Sequence, residues 1–162
     1  MKSKSKCILV IPKEFLTSPK QCFSRIPLYI LLSGKLSSIE LAVEYFKAIG
    51  YDVKRNVELQ GRWNMKWRFD LLLEDKFNQL KGVWIRNWKR TVGVNVVVML
   101  DRASEDVGLS RPFLIANGFS ASAYAYADRR RIELLTFEEI LGFMRRSFLM
   151  PRKYVSERSS KF

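Results

Sequence analysis

From residue 37 onward the hydrophobic positions switch repeatedly between a period near 3.6 and a period of 2. Leu41, Tyr45, Phe46 and Ile49 recur at helical spacing, with Ser37 and Ser38 offering an N-cap and Gly50 a stop. Tyr51 to Leu59 reads as a strand, with Gly61 in the turn after it. Lys66 to Leu73 alternates, with Trp67, Phe69, Leu71 and Leu73 on one face and Lys66, Arg68 and Asp70 on the other. Asn78 to Gly82 predicts a turn, and Val83 to Trp88 a third strand with Trp84, Arg86 and Trp88 on one face. Val92 to Asp106 fits two templates. Val94 to Val98 is β-branched like a strand, yet Val94, Val97, Val98 and Asp101 form a helical stripe. Pro112 to Ala116 is a short apolar strand ended by Asn117-Gly118. Ser120 caps an Ala-rich helix over 121–130, and Ile132 to Leu135 is a last short strand. Thr136 and Glu139 then have capping-box spacing at the start of a final helix.

The flanks read differently. Cys7 to Ile11 is a candidate buried strand ended by Pro12, and Pro19 and Pro27 break the stretch after it. Residues 147–162 contain Pro151 with several serines and charges. The expected organisation is an irregular N-terminal extension over 1–37, one domain over 38–146 and a basic tail over 147–162. The element order predicts a mixed α/β (α+β) domain without internal repeats.

Composition narrows the chemistry. The 162 residues suit one domain, and 29 Lys and Arg against 16 Asp and Glu leave a formal charge of +13. That charge implies a polyanionic partner, nucleic acid first. There is no histidine, which excludes His-based metal sites and a Ser-His-Asp triad. Two cysteines, Cys7 and Cys22, are too few for a zinc site of four thiolates or a disulfide framework. The longest apolar runs fall well short of the roughly 20 residues of a membrane helix, and the apolar run after Lys6 is too short for a signal peptide. A cytoplasmic protein with no membrane partner is expected.

The charge is clustered. Residues 1–20, 54–68 and 81–90 each carry +4, and residues 145–162 carry +5. Two clusters are interleaved with Trp63, Trp67, Trp84 and Trp88. Basic groups attract phosphates, and indole faces can stack on bases, although a Trp in an alternating strand is more often core.

Three segments carry a family likeness. They are Ala48-Ile49-Gly50-Tyr51-Asp52-Val53, then Phe69-Asp70-Leu71-Leu72 with Val83 to Val94, then Phe113 to Ala123 followed by Arg131-Ile132-Glu133-Leu134-Leu135. Together, over residues 38–142, they resemble the Mrr-type restriction endonuclease domain of the PD-(D/E)XK nuclease superfamily. The resemblance implies a restriction-endonuclease-like core, a central mixed sheet flanked by helices, and a helix over Val92 to Asp106. It also implies a metal site made by an Asp on one strand and a Glu or Gln, one residue, then Lys on the next. Carboxylates there hold magnesium, and the Lys orients or activates the attacking water.

Asp70 matches the family Asp, and Glu40 lies near the place of an upstream helix Glu. The Glu or Gln position falls on Trp84 and the Lys position on Arg86. Tryptophan cannot bind magnesium, and arginine, with a pKa above about 12, cannot shuttle a proton. An Arg86–Asp70 ion pair is expected, which would occupy the carboxylate and repel a divalent cation. The reading favoured is a nucleic-acid-binding protein, for DNA before RNA, on a nuclease-like fold with impaired catalysis and no cofactor. Arg62, Lys66, Arg68, Arg86, Lys89 and Arg90 would contact phosphates. One alternative is an active magnesium-dependent endonuclease that keeps Asp70 and recruits Glu58, Glu74 or Asp75. Another is a basic scaffold of a larger nucleic-acid–protein assembly. Residues 1–37 are the candidate surface for a homodimer or a protein partner.

Overall fold

The computed structural model describes residues 36–149. The strand expected at Cys7 to Ile11, the partner surface expected on 1–37 and the basic tail beyond residue 149 lie outside the described residues, apart from the last two positions of the 1–37 extension.

Helix α1 (Ser38–Ile49) begins at a complete capping box. The Glu40 N–H donates to Ser37 Oγ at 3.2 Å, and the Ser37 N–H donates to Glu40 Oε2 at 2.9 Å. Two otherwise orphaned amides are thereby satisfied. Gly50, at φ 103°, ends the helix in the left-handed region, as its position in the sequence predicts.

Strands β1 (Asp52–Gln60), β2 (Lys66–Glu74) and β3 (Leu80–Arg86) come next as an antiparallel meander. Helix α2 (Val94–Val107) then crosses to β4 (Phe113–Ala116), parallel to β3. Helix α3 (Ala121–Arg130) crosses to β5 (Glu133–Thr136), parallel to β4, and α4 (Phe137–Leu149) closes the domain. The sheet order is β1-β2-β3-β4-β5. The ambiguous Val-rich stretch is therefore helical, as the resemblance implied. The sheet is mixed and helix-flanked. The capping box expected at Thr136 and Glu139 is present, with the Glu139 N–H donating to Thr136 Oγ1 at 3.2 Å.

Each face of the sheet has its own core. On one face Phe46 of α1 and Ile140 of α4 pack with Leu71, Leu73, Val83 and Ile115. On the other, Val97 and Leu100 of α2 and Ala123 of α3 pack with Phe69, Trp84 and Leu114. Asp101 is buried between α2 and α3 and accepts from Tyr126 Oη at 2.8 Å and Arg130 Nε at 2.7 Å. A buried carboxylate is tolerable only when paired in this way.

The strand reading needs two corrections. First, β3 begins at Leu80 and ends at Arg86, so Gly82 is a strand residue and Trp88 lies in the loop beyond. Gly82 is glycine because a Cβ there would approach the Phe69 ring to 2.5 Å. Second, Trp67, Phe69, Leu71 and Leu73 do not share a face. Trp67 and Phe69 pack toward α2 and α3, whereas Leu71 and Leu73 pack toward α1 and α4. The switch occurs at one step. The ladder pairs Arg55 with Leu71 and Val57 with Phe69, leaving Asn56 and Asp70 between them unpaired, and Asn56 has φ 49°. A left-handed residue breaks the period-2 alternation, as a bulge does. β1 shows the same reversal, with Val53 on the first face and Leu59 on the second.

Candidate functional site

β2 and β3 pair through backbone only from Leu71–Val83 to Glu74–Leu80. Beyond that point side chains take over the ladder's hydrogen bonds. The Ile85 N–H donates to Asp70 Oδ2 at 2.7 Å, and Trp84 Nε1 donates to the Arg68 carbonyl at 2.9 Å. The face switch at Asp70 thus brings its carboxylate beside β3.

Arg86 lies at the same point. Its Nη1 is 3.2 Å from Asp70 Oδ2 and donates to the Ile85 carbonyl at 3.0 Å. Its guanidinium carbon sits 4.8 Å from the centre of the Trp84 ring. The ion pair expected from the sequence is present, and stacking on the indole holds the guanidinium in place. Both side chains are less than a third exposed, at 26% for Arg86 and 31% for Asp70. Trp84 itself is buried, with its ring 6.2 Å from that of Phe69.

Glu40, the fourth candidate, has its carboxylate in the α1 capping box. The Ser37 backbone N–H, followed by the Ser37 side chain, holds it below the usual carboxylate range. The acids weighed as substitutes are also engaged. Glu58 lies 3.4 Å from Lys66 and 3.7 Å from Arg68, and Glu74 lies 3.2 Å from Lys54. Asp75 accepts the Phe77 and Gln79 amides at 2.8 and 3.0 Å. Among the described residues no three Asp, Glu or Cys side chains converge as metal ligands. The residues present do not fit a magnesium ion. One carboxylate oxygen of Asp70 already accepts two hydrogen bonds, a guanidinium stands beside it, and the neighbouring position offers an indole with no lone pair to give.

The six basic candidates occupy four places. Arg86 is at the Asp70 centre. Lys66 and Arg68 project from β2 with 71% of each side chain exposed. Lys89 and Arg90 follow β3 in an exposed loop, where the Arg90 guanidinium lies 5.4 Å from the Trp88 ring centre. Arg62 lies in the β1–β2 turn, which docks on the C-terminal end of α2. There the Arg62 N–H donates to the Asp106 carbonyl at 3.1 Å, and Trp67 Nε1 donates to Asp106 Oδ2 at 2.7 Å.

Sequence reading misses Asn56 and Asp106. An Asn inside a strand pattern is a usable signal for the first, since Asn tolerates the left-handed region. Asp106 gives none, because its partners are distant in sequence.

The family model described as restriction endonuclease, of the Mrr catalytic type, matches residues 39–144. The chain belongs to the Mrr-type restriction endonuclease family. No curated protein matches it. A crystal structure of a protein of unknown function, AF1548, is similar at TM-score 0.59 and 19% identity, covering 72% of this chain and 68% of that one. That likeness supports the fold, a restriction-endonuclease-like mixed α/β core. Asp70, Trp84 and Arg86 all lie within the matched residues. No helix among the described residues is long and apolar enough to cross a membrane.

Proposed function

We propose that this Mrr-type domain binds nucleic acid, DNA before RNA, without cleaving it. The observation that carries the reading is the Arg86–Asp70 ion pair stacked on Trp84. A guanidinium takes the place where the family puts a Lys beside a metal, and it keeps a positive charge there while consuming the carboxylate. Loss of the metal removes the means of activating water and of stabilising the phosphorane-like charge. It does not remove the means of binding phosphate. Arg62, Lys66, Arg68, Lys89 and Arg90 supply exposed cations on β2 and on the loops after β1 and β3. Glu58 offsets part of the charge of Lys66 and Arg68, so the domain holds its substrate by several weak contacts rather than one strong one.

The test is binding to duplex DNA, single-stranded DNA and RNA at two salt concentrations, with and without magnesium. Counterion release contributes a slope of about 0.9 in log affinity against log salt for each phosphate neutralised on duplex DNA. Five engaged cations therefore give a slope of about −4 to −5. A flat salt dependence overturns the binding reading. Magnesium-dependent cleavage abolished by Asp70→Ala overturns the claim that the centre is inactive.

A further inference from the structure

The β1–β2 hairpin carries a large indole to solvent on a turn that is held still. Trp63 is 83% exposed and its neighbour Met65 is 53% exposed. The turn beneath them is fixed from both sides. The Gly61 N–H donates to the Met65 carbonyl at 2.7 Å, and the Asn64 N–H donates to the Gly61 carbonyl at 3.1 Å. From α2, Asp106 accepts the Trp63 N–H on Oδ1 at 3.3 Å and the Trp67 indole N–H on Oδ2 at 2.7 Å. Gly61 lies so close to this carboxylate that a Cβ would sit 1.8 Å from Oδ2. Chain entropy at the tip is thus already spent while the indole has nothing to pack on.

Charge surrounds the platform. Trp63, Met65 and Trp67 line a groove of about 570 Å³ together with Arg62, Arg102 and Asp106. The acids at its rim are engaged, Asp106 by the two tryptophans and Glu105 by Arg130. Neither Arg62 nor Arg102 forms an ion pair among the described residues. A pre-ordered aromatic face beside two arginines that form no ion pair among the described residues matches a nucleotide, which offers a π-face and a phosphate together. In an intact duplex both faces of an internal base are already stacked, so an indole can use only a base that is unpaired.

We propose that the hairpin tip is a stacking subsite for an unpaired nucleobase, with Trp63 as the platform and Arg62 and Arg102 as phosphate contacts. This rests on the nucleic-acid-binding reading and adds the substrate class: single-stranded or locally unpaired strands. Lys66 and Arg68 alternate with Trp67 and Phe69 along β2 and so project from the opposite face of the sheet, outside the subsite.

The experiment measures binding of the full chain, wild type and Trp63→Ala, Trp63→Phe and Arg102→Ala variants, to labelled oligothymidylate and to a duplex with hairpin-closed ends. Thermal melts check folding, and they should not shift for so exposed a residue. Trp63→Ala is expected to weaken oligothymidylate binding by about 5- to 160-fold, the range for losing one base–aromatic stack. Trp63→Phe should recover most of that loss, and duplex binding should be unchanged. Oligothymidylate should also quench tryptophan fluorescence in the wild type and much less in Trp63→Phe. Equal binding by wild type and Trp63→Ala overturns the subsite and leaves the nucleic-acid reading standing. Equal losses on both probes also overturn it. Failure of the wild type to bind either probe at low salt overturns the broader reading itself.

Discussion

The Asp70–Arg86 pair can be weighed with a double-mutant cycle. The gross attraction between unit charges 3.2 Å apart is about 5 kcal/mol at an effective dielectric constant of 20. Desolvation of two part-buried groups cancels most of that, leaving about 1–2 kcal/mol net for the pair. Arg86→Ala also removes the hydrogen bond to the Ile85 carbonyl and the stack on Trp84, adding about 1 kcal/mol. Arg86→Ala is therefore expected to cost about 2–3 kcal/mol, which lowers the melting temperature by roughly 10 °C in a domain of this size. Asp70→Asn keeps an acceptor for the Ile85 N–H but loses the charge, and should cost about 1–2 kcal/mol. Urea unfolding of wild type, both single variants and the double variant gives the coupling energy directly. The double variant should be less destabilised than the sum of the singles by about 1–2 kcal/mol. Additivity within about 0.3 kcal/mol would refute the idea that this contact holds the two strands together past the end of their ladder. A stabilised Arg86→Ala would refute it more strongly, since it would mean that the guanidinium is a burden on the fold.

Packing and titration give two further expected outcomes. Gly61→Ala should destabilise by about 2–3 kcal/mol, because the Asp106 carboxylate must yield the Cβ its space and so lose its bonds to the Trp67 indole and the Trp63 amide; in an Asp106→Ala background the same change should cost less than about 0.5 kcal/mol, as urea melts would report. Burial first, and then the charge of Glu139, pushes the Tyr45 hydroxyl up from 10 to about 12. A group with a raised folded pKa contributes stability that is complete below its unfolded pKa and is lost as pH rises through the folded one. The wild type should therefore lose about 2–3 kcal/mol more than Tyr45→Phe between pH 10 and 12, read by chemical denaturation across that range.

Local chemistry is legible where it is self-contained. Ser37 and Gly50 delimit α1 from the sequence alone, because caps act within a few residues of themselves, although Glu40, read as a site residue, closes the capping box. The same holds for Ser120 at α3 and for Thr136 with Glu139 at α4. Periodicity fails where tertiary contacts decide. The valines of α2 satisfy both periods, and only burial of Val97 and Leu100 against the sheet selects the helix. Gly82 reads as a turn residue because glycine usually marks a turn, whereas here it makes room for the Phe69 ring. The face switch at Asn56 reverses half of a strand whose alternation looks regular, so parity wrongly puts Phe69 and Leu71 on one face. At the site, the pairing of Asp70 with Arg86 follows from the positions that the family resemblance implies for them. Its closure by the Ile85 amide and the Trp84 indole does not, since that depends on where the backbone ladder stops.

Trp84 and Arg86 act as a pair. Trp84 without Arg86 would leave Asp70 as a half-buried carboxylate with no counter-charge, a costly arrangement. Arg86 without Trp84 would lose the flat surface that orients its guanidinium. Together they form a continuous stack, with Phe69 packed on Trp84 and Trp84 beneath Arg86. Asp70 and the Arg68 carbonyl take the hydrogen bonds that the splayed strands leave open. Trp84 is thereby a core residue, buried in the same cluster as Phe69, Leu114 and Val97. A carboxylate in place of Trp84 would put a charge among apolar side chains and leave a cavity the size of an indole, losses of at least about 3 kcal/mol. Trp84 is thus part of what holds the sheet to α2 and α3, and a carboxylate at that position could be accommodated only by repacking that core.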